Sequence, residues 1–431
     1  MAAEAALPEL SPPELSAVEY RRAIEALRAG VPNRDAVRAL GSNQQSIEEK
    51  FRQQLEAASA DVARDAQSGG LLVAGDFGSG KSHLLEYLRH VALEEQFVCS
   101  KIVLSKETPL FDPAKLFRAA IDSAAVPGKR GAALTEIAAG LDFAGPEFRE
   151  FYRWANSPES GLNAQFAATL FLYEKVKDQE ILDHIIAFWA GDPLKVADLR
   201  SWLNAQGEPG KYQRTAINAN DLALQRFKFV TRLIVAARYA GWVLLVDEAE
   251  LIGRYSLRQR ARSYAELARW LGKRRGETYP GMVTVVAITT DFAEAVLEER
   301  KDATLIPERL RASAAAADQI LASHAERGMR VISREATRLS LPSRHVVDET
   351  HERVRTIHAR AYDWQPPPAA SFERLATTSM RQYVRRWINE WDLQRLYPGY
   401  QVDTIVGELK LDYSEEAELE SPTEGETQPA Q

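Results

Sequence analysis

Cysteine occurs once in 431 residues and methionine four times. A single Cys99 excludes an internal disulfide framework. It sits in a hydrophobic, strand-like run and reads as a small buried core residue, not a reactive thiol. Nowhere is there an apolar run long enough to cross a bilayer, so no membrane partner is expected. The first twenty residues hold no Lys or Arg and lack the basic region of a signal or transit peptide. The cytoplasm is the expected location.

With 45% hydrophobic and 27% charged residues, the composition is that of an ordinary globular protein. The formal charge of −7 is unevenly spread. Residues 1–20 carry four Glu and residues 414–431 carry six, neither with a base, and without those ten carboxylates the body stands at +3. The acidity therefore belongs to ends that read as disordered. A weakly basic body leaves DNA open as a partner without arguing for it.

The most informative segment is Gly75-Asp76-Phe77-Gly78-Ser79-Gly80-Lys81-Ser82, a complete match to the phosphate-binding pattern G-x-x-x-x-G-K-[ST]. Leu71 to Ala74 read as a short buried strand before it, and His83 onward as an amphipathic helix after it. Strand, glycine turn and helix start direct several backbone N–H groups and the helix dipole at one point. The glycines allow backbone angles that a Cβ forbids and a close approach to phosphate oxygens. Gly75 through Ser82, with His83, form the nucleotide-binding set. Lys81 supplies the charge to the β- and γ-phosphates, and the Ser82 hydroxyl is a ligand for Mg²⁺.

A second apolar run, Trp242-Val243-Leu244-Leu245-Val246, ends in Asp247-Glu248. Asp247 is expected to hold Mg²⁺, directly or through water, and Glu248 to orient and deprotonate a water aligned with the γ-phosphate. A third strand over 282–288 ends in Thr289-Thr290, either of which suits a polar contact to that phosphate. Strands are also expected at 97–104 and 337–341. Helices precede the first strand: one from Ser16 or Val18 to Gly30, a short one over 34–40 capped by Asn33, and one over 44–67. This leading segment is read either as an adenine-facing element or as a plain helical cap. Residues 105–240 read as a mainly helical insertion, with Trp154, Trp189 and Trp202 serving its core.

Together these features predict an α/β fold: a P-loop NTPase of the ASCE/AAA+-like branch, with a parallel sheet, flanking helices, the insertion and a C-terminal helical lid. The expected boundaries are a leader at 1–15, a helical segment at 16–68, the core at 69–342, the lid at 343–413 and an acidic tail at 414–431. The lid is expected to hold helices at 346–361 and 371–377 and one starting at Met380. Arg381 there is the candidate second phosphate contact, with Arg385 as rival. Arg309 and Arg311, after the third strand, sit where an arginine acting on a neighbouring subunit arises, so a homo-oligomer is expected. Residues 254–275 carry eight Lys or Arg against one acid, Glu266. That strip fits a solvated helix face, a partner contact or a nucleic-acid surface.

The chain resembles the ATP-binding proteins of BREX-type bacteriophage-defence systems, the BrxC/BrxD family, and its length is similar to the short BrxD-like members. The resemblance rests on Ala26-Leu27-Arg28-Ala29-Gly30-Val31-Pro32-Asn33 with its continuation to Gly41, on the 75–88 segment, on Val246-Asp247-Glu248-Ala249-Glu250, and on His358-Ala359-Arg360-Ala361-Tyr362. It implies ATP as the nucleotide and helicase and methyltransferase partners in a DNA-directed defence complex. Within 105–240 only helical character is matched, without diagnostic residues. Two other readings share the same site: a nucleotide-dependent switch or helicase-loader scaffold with little turnover, and an origin-recognition-like DNA-binding ATPase, for which a β element at 401–406 is the sole sign of a winged helix.

Overall fold

The computed structural model describes residues 16–30, 33–212, 215–340, 343–368 and 380–399. The leader, the helix expected at 371–377, the β element at 401–406 and the acidic tail lie outside the described residues.

In chain order the elements are α1 (Ala17–Ala29), α2 (Arg34–Leu40), α3 (Gln45–Arg64), β1 (Leu71–Ala74), α4 (Lys81–Glu94) and β2 (Phe97–Val103). A helical stretch follows: α5 (Pro113–Asp122), a two-residue β3 (Ala124–Ala125), α6 (Ala133–Ala139), α7 (Pro146–Ala155), α8 (Ala164–Lys175), α9 (Gln179–Ala190), α10 (Val196–Ala205) and α11 (Ala219–Ala236). Then come β4 (Gly241–Asp247), α12 (Leu257–Trp270), β5 (Met282–Ile288), α13 (Asp302–Arg311), α14 (Ala316–Arg334), β6 (Thr337–Arg338), α15 (Arg344–Tyr362) and α16 (Met380–Leu396).

The helix ends follow from local chemistry. Ser16 closes a capping box with Glu19, and Gly30 takes the left-handed angle that stops α1. The Asn33 side chain accepts the Ala36 N–H at 2.8 Å and starts α2. Two strand expectations need correction. The last strand is only Thr337–Arg338, shorter than 337–341. The helical stretch contributes β3, which pairs antiparallel with β2. Two alanines carry too little pattern to signal a strand.

The six strands run in the order β3-β2-β4-β5-β1-β6, all parallel except β3. Every residue of β1, β4 and β5 is buried, as continuous apolar runs require when both faces of a parallel sheet are covered. Packing divides the chain into two units. Among the described residues, the first draws on those within 16–45, 77–87 and 339–399, and the second on those within 46–76 and 88–338.

In the first unit, α1 packs against α2, α15 and α16. Tyr20, Ile24 and Leu27 meet Val354, Ile357, Trp387 and Trp391 in one core. His358 is fully buried there, with Nε2 3.1 Å from Asp392 Oδ1, and Arg28 reaches the other carboxylate oxygen at 2.5 Å. Burial pushes the Asp392 carboxyl up, but the bond from His358 and the charges of Arg28 and Arg395 outweigh it and hold it below its usual value.

In the second unit, Phe117, Phe227, Trp242 and Trp270 form a ring cluster with centroid separations of 4.5–6.4 Å. Trp242 Nε1 donates to Ser100 Oγ at 2.9 Å. Trp189 is fully buried, and Trp154 and Trp202 pack against the same core. Cys99 is buried in β2.

The basic strip at 254–275 is largely engaged within the fold, although Arg258, Arg262 and Arg275 are exposed. Arg260 is bound by Asp302, Arg258 by Asp318, Lys273 by Glu335, and Arg269 and Arg274 by Glu266 and Glu277. Their partners lie nearby in helical turns or far along the chain on α13 and α14, and the distant ones are invisible to a count of charges. The Arg260–Asp302 pair is the most enclosed, with side chains 4% and 1% exposed. Tyr264 Oη also donates to Asp302 at 2.8 Å. Asp302→Ala strands a buried guanidinium and is expected to cost about 3–5 kcal/mol of stability, read as a lowered midpoint in thermal or denaturant unfolding. A loss below about 1 kcal/mol places that pair among surface-like ion pairs instead.

Candidate functional site

Within the second unit, parallel pairing gathers polar groups at the carboxyl ends of β1, β5 and β4. Ala74 is level with Ile288, and Val246 with Val286. Gly75 N donates to Ile288 O at 3.0 Å. Two residues beyond the paired Ala74 and Ile288 stand Asp76 and Thr290, and the Thr290 hydroxyl donates to the Asp76 carboxylate. Thr289 is buried, with 2% exposure. On β4, Asp247 is 3% exposed and accepts the Glu248 N–H at 3.0 Å.

Glu248 itself has φ 63° and ψ 35°, the left-handed region that a side chain rarely adopts. Such a conformation costs about 1–3 kcal/mol and persists where the surroundings enforce it, often at functional sites. The turn leaves the aspartate buried and the glutamate exposed. Adjacent carboxylates are thus given different environments.

The remainder of the glycine loop belongs to the first unit. Gly78 and Gly80 have φ of +77° and +102°, so side chains there are strained. A Cβ on Gly80 would meet no protein atom within 4 Å, so the loop faces open space there. Lys81 opens α4 and is 7% exposed. The first turn of α4 holds no acidic residue, so the positive end of its dipole is unopposed from within. Ser79 Oγ is buried and finds no hydrogen-bond partner among the described residues. A cradle that a Cβ would fill, an orphan hydroxyl and a buried cation at a helix start fit a phosphate chain.

Beside this loop lies a cavity of about 300 Å³, at the low end of ligand pockets. Gly78, Ser79, Gly80 and His83 form one wall, Leu27 and the turn Gly41 to Gln44 another, and Val346, Thr350, Met380 and Arg381 a third. His83 Nε2 lies 2.6 Å from Gly41 O. Gln44 bonds the Ser340 backbone in both directions, at 3.2 and 2.9 Å, which fixes the turn.

Thus the structure brings Phe77, Gly78, Ser79, Gly80, Lys81, Ser82, His83 and Arg381 together in one unit, and Gly75, Asp76, Asp247, Glu248 and Thr290 in the other. Arg385 is exposed and does not line the cavity. Arg309 lies exposed on α13 with no ion pair among the described residues, whereas Arg311 is held by Glu326 at 2.7 Å. Sequence reasoning missed the turn at 41–44, Val346 and Thr350. A signal did exist, since Gly41-Ser42-Asn43-Gln44 is a small polar break between two helical patterns.

The family described as BREX system ATP-binding protein BrxC/D matches residues 15–141 and 162–408. The match runs through most of 105–240, so that stretch is common to the family even though no diagnostic residue there stood out in the sequence. Residues 142–161, which hold α7, fall outside it. No curated protein and no solved structure matches the chain. A match over most of the chain settles its membership: it belongs to the BREX system ATP-binding proteins BrxC/D.

Proposed function

We propose that this chain is a Mg²⁺-dependent ATPase of the ASCE/AAA+-like branch that powers or regulates a DNA-directed defence complex as a homo-oligomer. The observation that carries the reading is the sheet: β5 lies between β1 and β4, so a polar strand end stands between the glycine loop's strand and the acidic strand. Bound Mg²⁺ supplies neutralisation of phosphate charge. Lys81 and the loop N–H groups hold the phosphates, and Ser82 and Asp247 hold the metal, an assignment that rests on the two motifs. Glu248 orients a water and takes its proton. Thr290, released from Asp76, contacts the same water or the terminal phosphate. The cavity beside Gly78–Gly80 has apolar walls suited to a purine ring, and Arg381 borders it as the second phosphate contact.

Arg309 is the better candidate to act on a neighbouring subunit, because Arg311 is already engaged by Glu326. Arg309→Ala is expected to lower ATP turnover by about 10³-fold while leaving nucleotide Kd within about twofold. Arg311→Ala is expected to change little. The check is steady-state phosphate release with Mg²⁺ over a range of protein concentrations. Parental turnover by Arg309→Ala removes it from the site.

The family's description speaks of ATP binding, and a nucleotide-dependent switch or helicase-loader scaffold with little turnover is the second reading that uses the same site. Phosphate release close to background, with and without DNA and partner proteins, decides for the switch. A nucleic-acid surface on the basic strip has less support than a count of charges gives it, since most of that strip is paired within the fold. BREX partners such as a helicase or methyltransferase remain part of the proposal.

A further inference from the structure

Phe77 is unusual among the aromatic residues of this chain. It stands inside the glycine loop, directly before Gly78, and is 42% exposed. Hydrophobic cohesion does not explain a large ring left half in water at such a place. The ring does have one occupant: the Arg381 guanidinium lies over it, with Cζ 5.4 Å from the centroid. That is within the range of a cation–π contact. The stem of the same arginine is confined from another side. A Cβ on Gly30 would come within 3.2 Å of Arg381 Cδ and 3.5 Å of Cγ, so the missing side chain at Gly30 leaves the slot in which the stem runs.

Arg381 thus has a neighbour at each end: its stem runs past the C-terminal cap of α1, and its head lies over a residue of the glycine loop itself. A long arginine on the first turn of α16 would otherwise lose rotamer freedom on meeting a ligand. A cation–π contact uses the guanidinium's charge and engages no hydrogen-bond acceptor, so its N–H donors stay available. Those donors are what a phosphate oxygen needs.

We infer that Phe77 is a positioning residue that holds Arg381 beside the phosphate cradle before nucleotide arrives. The inference rests on the nucleotide reading of the site and names how its lid arginine is set in place. Phe77 contributes through the quadrupole of its ring and not through apolar area, and it acts only by way of Arg381.

The test is a double-mutant cycle on the full chain. A non-hydrolysable ATP analogue is titrated into the parent, Phe77→Leu, Phe77→Tyr, Arg381→Gln and the Phe77→Leu/Arg381→Gln pair, with unfolding midpoints recorded alongside. Phe77→Leu keeps an apolar side chain without the ring and is expected to weaken binding about 2–5-fold. Phe77→Tyr is expected to restore parental affinity. In the Arg381→Gln background the leucine exchange is expected to change nothing further, because the group it positions is gone. The proposal is overturned if Phe77→Leu binds as the parent does, if tyrosine fails to rescue, or if the leucine effect persists at full size without Arg381. Absence of binding by the folded parent fails the nucleotide reading itself, an outcome distinct from binding without coupling.

Discussion

Lys81→Ala is expected to reduce ATP affinity by about two orders of magnitude. The ammonium is 7% exposed at the first residue of α4. Within the loop Gly75–Ser82 it is the one cation, the rest of the loop offering N–H groups to a phosphate. A hydrogen bond between charged partners contributes about 1.5–3 kcal/mol, and each 1.4 kcal/mol is tenfold in Kd. Calorimetric titration with a non-hydrolysable analogue reads the change directly. Lys81→Met retains most of the buried stem and separates loss of charge from loss of packing, since both variants should lose affinity alike. A Kd within about threefold of the parent in either variant would place the phosphates elsewhere.

Glu248→Gln is expected to do the opposite: leave affinity within about threefold and reduce turnover by about 10²–10⁴-fold, the usual contribution of a positioned general base. Glutamine matches the glutamate in shape and keeps a hydrogen-bonding side chain on the same backbone. The left-handed turn at φ 63° and the bond from its N–H to Asp247 are backbone features that the exchange does not touch. What disappears is the ability to accept a proton from water. Single-turnover phosphate release with saturating nucleotide isolates that step from binding. Equal turnover by variant and parent would remove Glu248 from the role of base. Inert nucleotide-bound protein in both would favour the switch.

Much of the site was legible because its signals are local. The glycine loop, its strand and its helix occupy consecutive residues, and steric limits on φ leave few other readings for Gly78 and Gly80. The acidic strand end is equally local: an unbroken apolar run followed by Asp247-Glu248. Helix boundaries at Ser16, Gly30 and Asn33 were readable for the same reason, since a cap is an interaction over two to three residues.

Other features depend on residues far apart in the chain. The charge strip at 254–275 looked like a surface because Asp302, Asp318 and Glu335 are 42 or more positions from their partners or lie on other elements. Arg260, Arg269 and Arg274 are folded inward, and counting charges along the chain cannot reveal that. The family-like segments around Ala26–Gly30 and His358–Tyr362 gave no sign in sequence that they meet. In the fold Arg21 Nε donates to Ala361 O at 2.8 Å, Arg28 reaches Tyr362 and Asp392, and Arg360 reaches Tyr20. The rivalry between Arg381 and Arg385 was likewise open on a helical wheel. Contact with Phe77 and the gap at Gly30 favour Arg381.

By itself, then, the sequence determined the groups on offer: a glycine loop, an acidic strand end, a third strand with a polar end and membership of one family. Backbone angles, hydrogen-bond caps and apolar periodicity act over a few residues, and these carry that information. Only the tertiary structure decided the order of strands, which arginines are spent on internal carboxylates, and which side chains line the cavity beside the loop. Those outcomes depend on pairing and packing between segments hundreds of residues apart, where the free energy of a contact is set by what it meets and not by what precedes it.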